Sequence, residues 1–324
     1  MVQYGYLESV MDNRAHLRNG ANLISLMSGK KQFIHFLFLF IFLFCSFSLK
    51  AQFDDEKYDK ESFLIGTLNE YMYYQRTFTN RDNFWYQRVD ILDQHELGLA
   101  LFIDTLFNLD YPDITIMNNG ASQGIKIYSP TLSVKIDDYY VYKPTGTWTE
   151  QNDTIYGGHL KKEKFETEKQ ILSYLLGVCL RNLAEEREIS RRIAEFYIRT
   201  NRDISELQDR TNQDVTNLLI QFLKKENLLD ENSEFENSFS MPNAPSKAKV
   251  CKELLEDMDC KVEYVVMRDY IPVGHKVLFT PSNKIREVMN EAERLLNYIE
   301  TIDTKHVEFA LAGTKYIWYE PEKP

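Results

Sequence analysis

Residues 114–142 read ITIMNNGASQGIKIYSPTLSVKIDDYYVY, and this stretch decides the fold. Ile114-Thr115-Ile116-Met117 and Gly124-Ile125-Lys126-Ile127-Tyr128 flank the turn-rich Asn118-Asn119-Gly120-Ala121-Ser122-Gln123. Leu132-Ser133-Val134-Lys135-Ile136 alternates strictly, and Tyr139 to Tyr142 continues as an extended aromatic run after Asp137-Asp138. Successive side chains of a strand point to opposite faces, so the pattern predicts an antiparallel meander with one face in water. Trp148 and Ile155-Tyr156 add a further extended piece before Gly157-Gly158.

Helical patterns surround this sheet. Leu64, Leu68, Tyr71, Met72 and Gln75 recur at helical spacing within Glu61 to Thr77. Trp85, Val89, Leu92, Leu99, Phe102, Ile103 and Leu106 predict a second helix between Asp82 and Asp110, broken near Gly98. Lys161 to Glu226 is helical again, with Leu172, Leu176, Cys179 and Leu183 forming an apolar stripe. A charged belt on that stretch places Glu188 and Arg192 one helical turn apart. Arg191 and Arg192 are its candidate partner-docking residues.

Leu229 to Lys247, LDENSEFENSFSMPNAPSK, is rich in Ser, Asn, Glu and Pro and reads as a polar linker. A compact unit follows. It has a helix near Lys249 to Met258, strands at Lys261 to Met267 and His275 to Thr280, and a helix opened by Pro281-Ser282. That helix carries Ile285, Val288, Met289, Ala292, Leu295, Leu296 and Ile299 on one face. Strands at His306 to Leu311 and Lys315 to Tyr319 close the unit, giving α-β-β-α-β-β. The fold expected is therefore α+β. An export segment covers 1–51, a mixed helix and antiparallel-sheet domain 52–228, the linker 229–247 and the small module 248–324.

The export segment rests on Phe33 to Phe44, FIHFLFLFIFLF, preceded by Lys30-Lys31 and followed by Ala51-Gln52-Phe53-Asp54-Asp55. A basic start, an apolar run and a small residue at the cut form the secretory pattern, with cleavage between Ala51 and Gln52. This resembles exported proteins of Gram-negative bacteria whose mature chain begins with Gln. Met27 opens a compact alternative start. Left uncleaved, the apolar stretch would act as an anchor, the one route by which a membrane becomes a partner. The whole chain carries a formal charge of −11, and removing the basic leader leaves it more acidic. Such a surface repels phosphate backbones, so nucleic acid is not an expected partner.

Chemical motifs are sparse. Gly120-Ala121-Ser122-Gln123-Gly124 fits the G-x-S-x-G nucleophile pattern, with His159, His275 and His306 downstream as bases. Strand on both sides and the Asn119-Gly120 hairpin signal instead predict a polar loop. His95-Glu96 starts an H-E-x-x-H zinc pattern, but Leu99 stands where the second His belongs. Asp93 and Glu96 beside His95 make a carboxylate-rich spot without a third fixed ligand. No metal, cofactor or catalytic residue is expected from this sequence. Tyr140 and Tyr142 share a strand face and are candidates for stacking on a sugar or peptide. Cys179 reads as a buried thiol on the helix stripe. Cys251 and Cys260 form a candidate disulfide if the helix between them ends early.

These readings combine into an expectation of an exported, non-enzymatic accessory or assembly protein of the bacterial envelope, working through contacts with another envelope protein. A carbohydrate- or peptide-binding module using the Tyr-rich sheet is the second reading. An exported hydrolase with dispersed carboxylates is the third.

Overall fold

The structure, a computed structural model, describes residues 53–70, 74–78, 87–118, 124–149, 152–199, 220–221, 223–226, 228–230, 234–269, 272–302, 304 and 316–318. Residues 186–199 and 316–318 are described by backbone alone. Ala51 and Gln52, Ser122, His306 and the side chains of Arg191 and Arg192 lie outside this set. Residues 55–324 form one compact unit, and its fold is α+β. Among the described residues, no helix is long and apolar enough to cross a membrane.

Helix α1 (Lys60–Thr67) starts at Asp59, whose carboxylate accepts from the Ser62 amide at 2.8 Å. It ends far short of the Thr77 that helical spacing suggested, and strand β1 (Tyr74–Arg76) follows. The second predicted helix is also shorter. Arg88–Leu92 forms strand β2, a 3₁₀ turn covers Gln94–Glu96, and helix α2 runs from Leu97 to Phe107. Strands β3 (Thr115–Asn118) and β4 (Ile125–Tyr128) pair antiparallel with Asn118 opposite Ile125, as the hairpin signal required.

The predicted strand at Leu132–Ile136 is instead helix α3 (Pro130–Asp137). Ser129 caps it by accepting from the Leu132 amide, and Pro130 sits where its missing N–H costs nothing. Leu132 and Ile136 are buried one turn apart, while Val134 between them is 56% exposed. Strands β5 (Tyr140–Trp148) and β6 (Thr154–Leu160) then form a long antiparallel pair.

Helix α4 (Glu168–Arg199) is the spine of the unit, burying Tyr174, Leu175, Leu176, Val178, Cys179 and Leu180. It crosses α1 at a glycine pair. A Cβ on Gly66 would lie 2.1 Å from the Tyr174 carbonyl oxygen, and one on Gly177 would lie 2.2 Å from that of Phe63. Only hydrogen at both positions permits this approach.

The described residues of the segment read as a linker are folded. Strand β7 (Asn237–Ser240) sits within it and pairs with β9 (Gly274–Thr280), which also pairs with β8 (Lys261–Met267). Phe235, Phe239 and Met241 are buried, with the Phe239 and Phe279 rings 4.7 Å apart. Its polar composition belongs to the positions that face outward. Helix α5 (Pro245–Asp257) begins inside the same segment, two residues before its expected end. Asp259 at φ 60° stops α5, and the Cys260 amide donates back to the Leu255 carbonyl at 3.1 Å.

Helix α6 (Asn283–Glu300) buries six of the seven apolar positions read from the sequence, leaves Met289 half-buried, and packs on α4 and α2. Strand β10 (Tyr316–Trp318) does not close the C-terminal module. It pairs in parallel with β3, completing a sheet of order β10-β3-β4-β2. The other two sheets run β1-β6-β5 and β7-β9-β8.

Candidate binding cleft

The interior carries an unusual number of charged groups. Glu70, Arg76, Arg88, Asp90, Glu96, Asp104, Arg181 and Lys247 are all buried. Arg181 on α4 pairs with Asp90 at 2.9 Å and with Glu96 at 2.9 Å, and donates to the Thr67 carbonyl at 2.8 Å. Lys247 on α5 donates to the carbonyls of Gly66 and Leu68 at 2.7 and 2.6 Å. Three successive carbonyls at the end of α1 are thus held by two cations, the arrangement favoured by the negative end of a helix dipole. Burial pushes the Glu70 carboxyl up to about 7, against the opposing pull of Lys247. Burial likewise holds Lys247 below its ordinary value.

A second cluster joins the small helix to the sheet. Arg76 pairs with Asp137 at 2.8 Å and lies over the Tyr74 ring at 4.7 Å. It also donates to the Arg88 carbonyl oxygen. Tyr140 stacks on Tyr74 at 4.8 Å, and its hydroxyl donates to Glu70 at 2.7 Å. Tyr142 donates to Asp137 at 2.5 Å and meets Phe78 edge-on. Tyr140 and Tyr142 do share a face, but Tyr140 is only 4% exposed, so it offers no open ring for a ligand. Of the pair expected to form a stacking platform, Tyr140 is packed interior and Tyr142 is half-buried. Gly158 explains the close fit, because a Cβ would lie 2.9 Å from the Tyr142 ring.

Cys251 and Cys260 are free, buried thiols, as is Cys179. The Cys260 sulfur accepts from the Ser282 amide at 3.3 Å, which fixes the entry to α6. Cys251 carries no bridge, and burial pushes its thiol well above its ordinary value, which disfavours the reactive thiolate.

Asp93, His95 and Glu96 do come together, with ligand atoms within 4.8 Å of one another. His95 and Glu96 line a cleft of about 370 Å³ that also touches Leu296, Ile299 and Glu300. Glu96 is already committed to Arg181 and to the Asp93 amide, which it accepts at 2.7 Å. A cation there would compete with a buried ion pair.

The strongest binding geometry lies elsewhere. A cleft of about 590 Å³ opens between the β5–β6 pair and the start of β9, lined by Lys143, Pro144, Thr145, Thr147, His159 and His275 among others. A smaller cleft of about 320 Å³ continues it past His159 and Pro245 to Ser246, Lys249 and Glu253. The walls are tied together. The Leu160 amide donates to Ser246 at 2.7 Å, and the Asn243 amide donates to the Val273 carbonyl at 2.9 Å. Asn243 adopts φ 51° and its side chain accepts from the Val273 amide at 3.0 Å.

His275 is 7% exposed, and its Nδ1 lies 2.6 Å from the Tyr264 hydroxyl. With Tyr264 donating to Nδ1, the neutral ring keeps its proton on Nε2 and presents a donor. Burial lowers the pKa of His275, and Lys249 adds to the effect. His159 is lowered by burial and by Lys143 and Lys249. Both rings are therefore mainly neutral at pH 7. Among the described residues the larger cleft is lined by no carboxylate, in a chain with 49 acidic residues. Thr145 is bonded to the Ile155 carbonyl at 2.9 Å, so its hydroxyl is spent on structure.

The sequence offered His159 and His275 only as distant bases for Ser122. The structure brings the two histidines to one cleft, and Lys143 and Lys249 were not singled out at all. Residues so far apart carry no spacing signal. The sole hint was the high density of β-forming residues that make the walls. In comparisons with known proteins, the chain matches no family model, no curated protein and no solved structure.

Proposed function

We propose that this chain is an exported, non-enzymatic accessory protein of the bacterial cell envelope that holds a polypeptide partner in the cleft between β6 and β9. One observation carries the holding role: the cleft of about 590 Å³ presents hydrogen-bond donors beside proline and threonine surface. Its walls are cross-tied and thus largely pre-formed. Its histidines face no activated nucleophile, which favours binding over turnover. Export is supported by the basic and apolar run from Lys30 to Phe44 and the small residue Ala51.

A photo-crosslinking side chain placed at Thr147 tests the reading in the native envelope. A discrete adduct with one protein is expected from Thr147 and none from the exposed Leu109, which does not line the cleft. No reproducible adduct from Thr147, together with turnover of a glycan or peptide by the purified protein, would overturn it.

A further inference from the structure

We propose that the β6–β9 cleft is a carboxylate-recognition site, and that the segment it takes from a partner is an acidic peptide. This rests on the holding role above and names the chemistry of what is held. Three independent features converge. The first is His275, more than nine-tenths buried and lining the cleft, with Nδ1 occupied by Tyr264. With Tyr264 donating to Nδ1, the ring that lines the cleft carries its proton on Nε2 and is a donor. A ligand carboxylate oxygen accepting from that donor forms a charge-assisted hydrogen bond.

The second feature is charge. Lys143 lines the larger cleft and Lys249 the adjoining one, and among the described residues neither enters an ion pair. Among the described residues no carboxylate lines the larger cleft, a local inversion of an otherwise acidic chain. Lys162 nearby is engaged by Asp257 at 2.9 Å and by Glu253, the one carboxylate lining the smaller cleft among the described residues, at 3.9 Å, which leaves Lys143 and Lys249 as the unpaired cations there. Third, the start of α5 borders both clefts at Pro245 and the smaller one at Ser246. The leading amides of a helix lack partners within it and favour a negative group.

The same features select carboxylate over phosphate. Phosphate sites are usually built from arginine forks or several converging cations. Here two separated lysines and two neutral imidazoles offer a weaker, spread-out field that matches single negative charges placed along a chain. Pro144, Pro245 and Val273 supply apolar surface for the intervening backbone.

Fluorescence anisotropy with a labelled Glu-Gly repeat peptide, its Gln-Gly counterpart and inorganic phosphate as competitor tests this on the full chain. The Glu peptide is expected to bind roughly tenfold tighter than the Gln peptide, as for a site whose donors need an anionic acceptor. Its affinity falls with added salt. Lys143→Glu, at an exposed position, weakens the Glu peptide several-fold and leaves the circular dichroism unchanged. His275→Leu abolishes the preference for Glu over Gln. Equal binding of the two peptides, with no effect of Lys143→Glu, overturns the carboxylate assignment while the Thr147 adduct still upholds the holding role. Full displacement by millimolar phosphate without peptide discrimination also overturns it, in favour of a small-oxyanion site.

Discussion

Replacing Glu70 by Gln should make the protein more stable above neutral pH and leave it unchanged in acid. Glu70 is 2% exposed and accepts from the Tyr140 hydroxyl at 2.7 Å, with Lys247, Asp90 and Arg88 acting on it electrostatically. Burial is the largest influence and raises its pKa from 4.5 to about 7. A carboxyl with a raised folded-state pKa favours folding while it is protonated. That contribution is complete below pH 4.5 and is lost as pH rises through 7. A shift of this size corresponds to about 3 kcal/mol by linkage. Gln has the shape of the protonated acid and does not ionise, so the variant escapes the loss. Urea unfolding of both proteins at intervals from pH 4.5 to 9 measures the difference. The two curves should coincide at the acid end and diverge by about 3 kcal/mol above pH 8. Parallel curves across the whole range would refute the burial of an ionising group at this position.

Phe239→Ala should cost about 3–5 kcal/mol, the range for truncating a buried aromatic, because its ring packs on Phe279 within the sheet. Limited proteolysis of the unmodified protein should accordingly spare residues 237–240, and early cleavage there would revive the linker reading. Without reductant, Cys179, Cys251 and Cys260 should resist a thiol reagent in the folded state and all react once the chain is unfolded. A Cys251–Cys260 bridge in peptide mapping would contradict that.

What the sequence made legible follows from where each compensation lies. The stripe on α6 and the extended runs of β8 and β9 were readable because their apolar residues repeat locally with the right period. Five residues at 132–136 satisfy both periods, since Leu132, Val134 and Ile136 alternate while Leu132 and Ile136 also lie one helical turn apart. Ser129-Pro130 decides for the helix, a start signal that outweighs alternation over so short a span. Strand β2 was hidden because Arg88 and Asp90 are charged yet buried, and the Arg181 that balances Asp90 comes from a distant helix. Strand β7 was hidden by its outward-facing Ser and Asn. The cleft was least legible of all, because His159, His275, Lys143 and Lys249 come from β6, β9, β5 and α5 and meet only in three dimensions.

Lys247 connects the buried charges to that cleft. It follows Pro245 and Ser246, which border the cleft, and its Nζ holds the end of α1 through Gly66 and Leu68. The first turn of α5 is therefore positioned by carbonyls that lie outside the binding site. Lys247→Met keeps most of the side-chain volume but removes both donors and leaves two buried carbonyls unsatisfied. The expected loss is about 3 kcal/mol of stability. Lys247 is also the largest influence lowering the Glu70 pKa, so its removal should carry the Glu70 transition to higher pH. The Glu-Gly peptide should bind more weakly as Pro245 and Ser246 shift, whereas Glu70→Gln should leave that affinity unchanged. A merely space-filling role for Lys247 would reduce stability without moving the pH transition. That outcome would separate α5 from the buried charges and show that the cleft is positioned by its own backbone ties alone.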